Sequence, residues 1–117
     1  VTVTYTYACT IDRVVDGDTI IVDADLGLRA HLTMPVRVYG MNAPEHGTPA
    51  GAIATAAASA LLPPGSNVTI RTHKATANQG FEKFGRWLAE IFLPDGRSFA
   101  EVMIAAGNAV FYDGGAR

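Results

Sequence analysis

A chain of 117 residues, 49% hydrophobic and 17% charged, has the size and balance of one globular domain with a single core, which excludes both a disordered segment and a two-domain arrangement. Its net charge of −2 argues against a broad cationic surface, the lone Cys9 cannot form an intrachain disulfide, and the scattered His31, His46 and His73 have no zinc-ligand spacing. The charge-free run between Glu45 and Arg71 is rich in Ala, Thr, Ser and Gly and is broken by Pro63-Pro64-Gly65, so it reads as a helix and its exit, not as a membrane span.

Residues 1–11 alternate apolar with Thr or Ala, the pattern of a half-buried strand. Continued through Val15 the strand reaches roughly 50 Å at ~3.3 Å per residue, so it must bend, which suits a closed barrel. Asp16-Gly17 between Val14-Val15 and Thr19-Ile20-Ile21-Val22 predicts a hairpin with a type I′ turn. Asp18 falls at the root of the second strand, where a carboxylate is neither needed nor favoured. A bend at Leu26-Gly27 and a polar return lead to a third strand over residues 35–40. Its alternation puts Val36, Val38 and Gly40 on one face and Arg37, Tyr39 and Met41 on the other, holding Arg37 on a rigid element beside a loop that ends in Glu45.

Thr48 as N-cap and Pro49 as first helical residue open a helix with Ile53, Ala57, Ala60 and Leu61 as its apolar stripe, ended by Pro63-Pro64. A fourth strand spans residues 68–73, a long loop with no periodicity residues 74–85, and a fifth strand residues 87–93. Ser98 and Glu101 form a capping box for a second helix burying Phe99, Val102, Met103 and Ala106, and Gly107 ends it. An extended apolar tail over residues 109–112 follows. Three strands, a helix, two strands and a helix are the elements of a mainly-β fold, the five-stranded Greek-key barrel called the OB-fold, whose face and loops commonly bind oligonucleotides.

Charge is unevenly spread. Residues 12–25 carry Asp12, Asp16, Asp18, Asp23 and Asp25 against Arg13, whereas residues 71–86 carry Arg71, Lys74, Lys83 and Arg86 against Glu82. The first end suits a cation and the second an anion.

Three segments in order, Asp16-Gly17-Asp18-Thr19, then Arg37-Val38-Tyr39-Gly40-Met41-Asn42-Ala43-Pro44-Glu45, then Lys83-Phe84-Gly85-Arg86, resemble the signature segments of the staphylococcal nuclease-like (thermonuclease) family, with matching spacing over roughly residues 8–112. The resemblance implies a calcium-dependent phosphodiesterase that cuts DNA and RNA to leave 3′-phosphate ends. It implies Asp18, Asn42 and the backbone carbonyl of Ala43 as calcium ligands, Glu45 as general base, and Arg37 and Arg86 as phosphate-clamping catalytic arginines. Lys83, Phe84 and Tyr112 then contact the nucleotide. The chain is further expected to be a monomer that prefers single strands and has no membrane partner, and the resemblance favours a secreted or surface-exposed protein. The chain starts at Val1 without a signal-peptide pattern and so reads as a trimmed product.

The chain also departs from the family pattern. Asn42 stands where the family commonly has a second aspartate, which implies weaker calcium binding, and Phe84 cannot hydrogen-bond a phosphate as a tyrosine can. The first helix lacks the lysines of a basic secreted nuclease, and a third, C-terminal helix is missing. The rival reading is the same barrel as a module that binds nucleic acid or a protein without cutting.

Overall fold

The computed structural model describes residues 3–74 and 86–112. The chain runs through β1 (Val3–Asp16), β2 (Thr19–Gly27), β3 (Ala30–Val38), a short β4 (Met41–Asn42), α1 (Pro49–Leu61), β5 (Asn67–Lys74), β6 (Trp87–Phe92), α2 (Phe99–Ala105) and a short β7 (Val110–Phe111). Five strands close into a barrel in the order β1-β2-β3-β6-β5, with β3 and β6 parallel and every other pair antiparallel. A mainly-β closed five-stranded barrel with two helices is of OB-fold type, as the order of elements predicts.

Closure depends on β1. Its first half pairs with β5 and its second half with β2, with Cys9 and Thr10 in both ladders, and register shifts between Ile11 and Arg13 and between Val14 and Asp16 supply the bend its length requires. Side chains alternate across the wall. Ile20 and Val22 on β2, Val36 and Val38 on β3, Ile70 on β5 and Ile91 on β6 are buried in the interior, with Phe99 and Met103 of α2 packed into the same core.

Several local expectations are corrected. The β1–β2 hairpin exists, but its turn residues are Gly17 and Asp18, and neither has positive φ, so it is not type I′. Gly17 is required by close approach instead: a Cβ there would lie 2.6 Å from the Ala43 Cβ and 3.1 Å from the Ala54 Cβ. β3 ends at Val38, two residues early, because Tyr39 and Gly40 turn, with Gly40 at φ 89°. That turn drops Met41 into the core, fully buried, instead of leaving it on the face of Arg37.

In α1 the buried face is Gly51, Ala54 and Ala58, whereas Ile53 of the expected stripe is 63% exposed. A helix of alanines has little apolar asymmetry, and close approach of small residues to the barrel decides its facing. Thr48 does cap it, accepting the Gly51 N–H at 3.0 Å, and Ser98 caps α2 through the Glu101 N–H at 3.3 Å. The tail expected to be merely extended forms β7, pairing with β4 through Met41–Phe111 and Asn42–Val110.

Candidate functional site

The β1–β2 turn, the segment leaving β3 and the start of β6 meet at one end of the barrel. Thr19 and Arg37 are cross-strand partners on β2 and β3, and Arg37 is in register with Leu88 on β6. Directly paired residues share a face, so these three project away from the core residues Val36 and Val38. Arg86, two residues before Leu88, belongs to the same face, and its Nη1 donates to Thr19 Oγ1 at 2.7 Å. Two guanidiniums are thereby drawn to one patch of wall.

Arg37 is 5% exposed, and its terminal nitrogens donate into its own loop. Nη1 donates to the carbonyls of Val38 and Met41, each at 2.9 Å, and Nη2 donates to Asn42 Oδ1. The Asp18 carboxylate, 14% exposed, stands opposite, with Oδ2 3.7 Å from Arg37 Nη1 and accepting the Ala43 N–H at 3.2 Å. Asp18, Arg37, Asn42 and Ala43 therefore form one contiguous cluster, as their motif positions predict.

Electrostatics at Asp18 are contested. Burial pushes its carboxyl above the ordinary carboxylate value, Arg37 pulls the other way, and a side-chain contact with Asp16 pushes it up again. Asp16, read from sequence as a turn former, does close the turn by accepting the Asp18 N–H through Oδ1 at 3.1 Å. It also brings a second carboxylate against the first.

Glu45 is exposed, and its anchored atom is its carbonyl, which accepts the Thr48 hydroxyl at 2.7 Å and the Thr48 N–H at 3.3 Å. Its carboxylate makes no hydrogen bond or ion pair with the cluster. Tyr112 follows β7, and its N–H donates to the Gly40 carbonyl at 3.1 Å, which ties the tail to the turn beside Arg37. Lys83 and Phe84 lie outside the described residues.

The donor set fits a hard divalent cation in part. Among the described residues no three His, Cys, Asp or Glu side chains form a metal-holding group. Asp16 and Asp18, two carboxylates pressed together where burial opposes charge, are nonetheless the kind of oxygen pair that a divalent cation relieves. The Asn42 amide oxygen faces the Arg37 guanidinium, which already supplies positive charge there.

Sequence reasoning missed Thr19 and the second role of Asp16. Thr19 is 7% exposed and holds Arg86, yet a threonine at a strand start carries no signal; only the β2–β3 register, pairing it with Arg37, makes it conspicuous. Fold and site together define a class: an OB-type barrel with an arginine–carboxylate cluster where the β1–β2 turn meets the end of β3. No protein-family model and no curated protein matches the chain.

Proposed function

We propose that the chain is a phosphodiesterase of the staphylococcal nuclease-like kind, hydrolysing DNA and RNA to leave 3′-phosphate ends. The observation that carries this reading is the convergence of Arg37 and Arg86 on one face of the barrel beside the half-buried Asp18. Attack of water on a phosphodiester gathers negative charge on the equatorial oxygens, and preorganised guanidiniums stabilise it without reorganising. Arg37, fixed by its loop carbonyls, supplies a stationary positive charge, and Arg86 is the clamp aimed by Thr19. Glu45, exposed next to the cluster in sequence, orients a water or takes its proton. Asp18, with Asp16, would hold calcium, and the metal when bound adds Lewis-acid stabilisation of the phosphate. Lys83, Phe84 and Tyr112 are assigned to nucleotide contacts by the resemblance alone.

The same observations give the rival reading one foothold. Asn42 Oδ1 is engaged by Arg37, and the Glu45 carboxylate makes no contact with the cluster, as suits a barrel that grips nucleic acid without cutting it. Among the described residues no helix is long and apolar enough to cross a membrane. Hydrolysis of denatured DNA, with calcium or with a chelator, decides between the two. We expect calcium-dependent cutting that falls by about 10²-fold or more in Arg86→Ala and in Glu45→Gln. A folded wild-type chain that binds the DNA but leaves it intact in calcium establishes the binding module instead.

A further inference from the structure

Where β1 begins and β2 turns into β3, a cavity of about 300 Å³ enters the barrel between Tyr5, Tyr7, Leu26, Leu32, Met34 and Trp87. Ala24, fully buried, also lines it. Met34 and Arg37 stand on opposite faces of β3 and roughly 10 Å apart along it at ~3.3 Å per residue, so the cavity and the candidate active site are separate.

Three features specify what the cavity takes. First, among the described residues no charged side chain lines it, so an ion entering would lose its hydration for nothing in return from them. Second, it is lined by three aromatic residues: the Tyr5 and Tyr7 rings are 6.5 Å apart and inclined by 24°, and Trp87 belongs to the same wall. Flat π-faces in that arrangement favour a ring offset against them. Third, the Thr72 hydroxyl in the lining already donates to the Tyr5 carbonyl at 3.4 Å. Protein interiors are packed without voids of this size, whereas a volume of roughly 300 Å³ with mainly apolar walls is at the lower end of small-molecule sites. Leu26, Leu32 and Tyr5, each 43–46% exposed, keep the mouth apolar out to its rim.

We infer that the barrel mouth is a binding site for a small neutral aromatic molecule of roughly two rings. It takes the ring between the tyrosine faces and Trp87, and its apolar body against Leu26, Leu32 and Met34. The inference is independent of the proposed phosphodiesterase activity.

Trp87 is the chain's one tryptophan, so its emission reports on this cavity alone. The test titrates the full chain with N-phenyl-1-naphthylamine, a neutral dye that accepts energy from indole. The expected result is saturable quenching of Trp87 with transfer to the dye at one equivalent, and affinity at least tenfold weaker in Leu32→Lys and in Leu26→Lys, both at the rim. Anionic 1-naphthoate should bind at least tenfold more weakly than neutral naphthalene in competition with the dye. Absence of saturable transfer in the folded chain overturns the inference. So does binding that both rim variants leave unchanged while their thermal melting stays normal, or naphthoate competing as well as naphthalene. Should the rim variants fail to fold, displacement of the dye by naphthalene from the wild-type chain stands as the deciding result, and no displacement overturns the site.

Discussion

The Asp18 carboxylate is 14% exposed and faces both the Arg37 guanidinium and the Asp16 carboxyl, with the net result that its pKa lies above the ordinary value of 3.8. A folded-state pKa above the unfolded one means that the native chain holds a proton over a range in which the unfolded chain has lost it. The stability contribution is then fully present below the unfolded value and is lost as pH rises through the folded one. Ionised Asp18 therefore costs stability at neutral pH. Asp18→Asn keeps an oxygen for the Ala43 N–H and removes the charge, so it should melt at a higher temperature than wild type at pH 7, with the difference closing below about pH 4. Melting curves across that range check it, and a variant less stable at pH 7 would show that the Arg37 attraction dominates. Thr19 offers a second test. A hydrogen bond to a charged group contributes about 1.5–3 kcal/mol, so releasing Arg86 in Thr19→Val should slow DNA hydrolysis by about tenfold or more. The same bond supports the fold, so Thr19→Val should also melt lower, and the rates are compared well below the melting temperature, where both chains are folded. Thr19→Ser, which restores the hydroxyl, should recover rate; a rate that stays low in Thr19→Ser would leave Thr19 a packing residue only.

At the scale of elements the two hairpins exchange expectations. Asp16-Gly17 carries the strongest short hairpin signal, yet its turn uses no positive φ, because Gly17 is there to let Ala43 and Ala54 approach. The β2–β3 turn does use it, with Leu28 at φ 55° and Arg29 at φ 66°, although neither residue is suited to that region. The sequence pointed to a bend at Leu26-Gly27 and started β3 five residues late, since a leucine and an arginine do not announce a turn. Leu28 is fully exposed, so no packing offsets the strain. Replacing Leu28-Arg29 by Asn-Gly should stabilise the chain by about 1–2 kcal/mol, read as a shift of the urea midpoint with unchanged slope. Hydrolysis should be unaffected, because this tip lies at the far end of β3 from Arg37. Helix limits, by contrast, were legible to within a residue, since Thr48-Pro49, Pro63-Pro64 and Ser98 act locally. The buried face of α1 was not, because alanine hydropathy cannot say which side of a helix meets a wall.

For the molecule as a whole, the five barrel strands, their order along the chain and the clustering of Asp18, Arg37, Asn42 and Ala43 were legible, because alternation and short connections constrain a small barrel tightly. The contacts that press the β1–β2 turn, the segment from Ala43 to Thr48 and α1 together were not, because they are made by residues with almost no side chain. Gly17 touches the loop at Ala43 and the helix at Ala54; Gly51, on the buried face of α1, lies under Glu45. A Cβ on Gly51 would stand 2.2 Å from the Glu45 carbonyl oxygen and 3.0 Å from its carbon, backbone atoms that cannot swing aside, and 3.1 Å from Thr48 Oγ1. The same carbonyl is what the Thr48 N–H and hydroxyl hold, so the start of α1 fixes where Glu45 leaves the loop. Gly51→Ala must move either the loop or the helix, at a cost of about 1–3 kcal/mol for overpacking. Moving the loop displaces the proposed base, and misplacement of about 1 Å is enough to lose about 10²-fold in rate. Loss of hydrolysis should therefore exceed what melting alone explains, measured well below the melting temperature, where the variant is still folded. Ala52→Ser, one residue along on the exposed face, should alter neither quantity. If Gly51→Ala melts lower but cuts at the wild-type rate, the helix has yielded instead of the loop, and the position of Glu45 does not depend on α1.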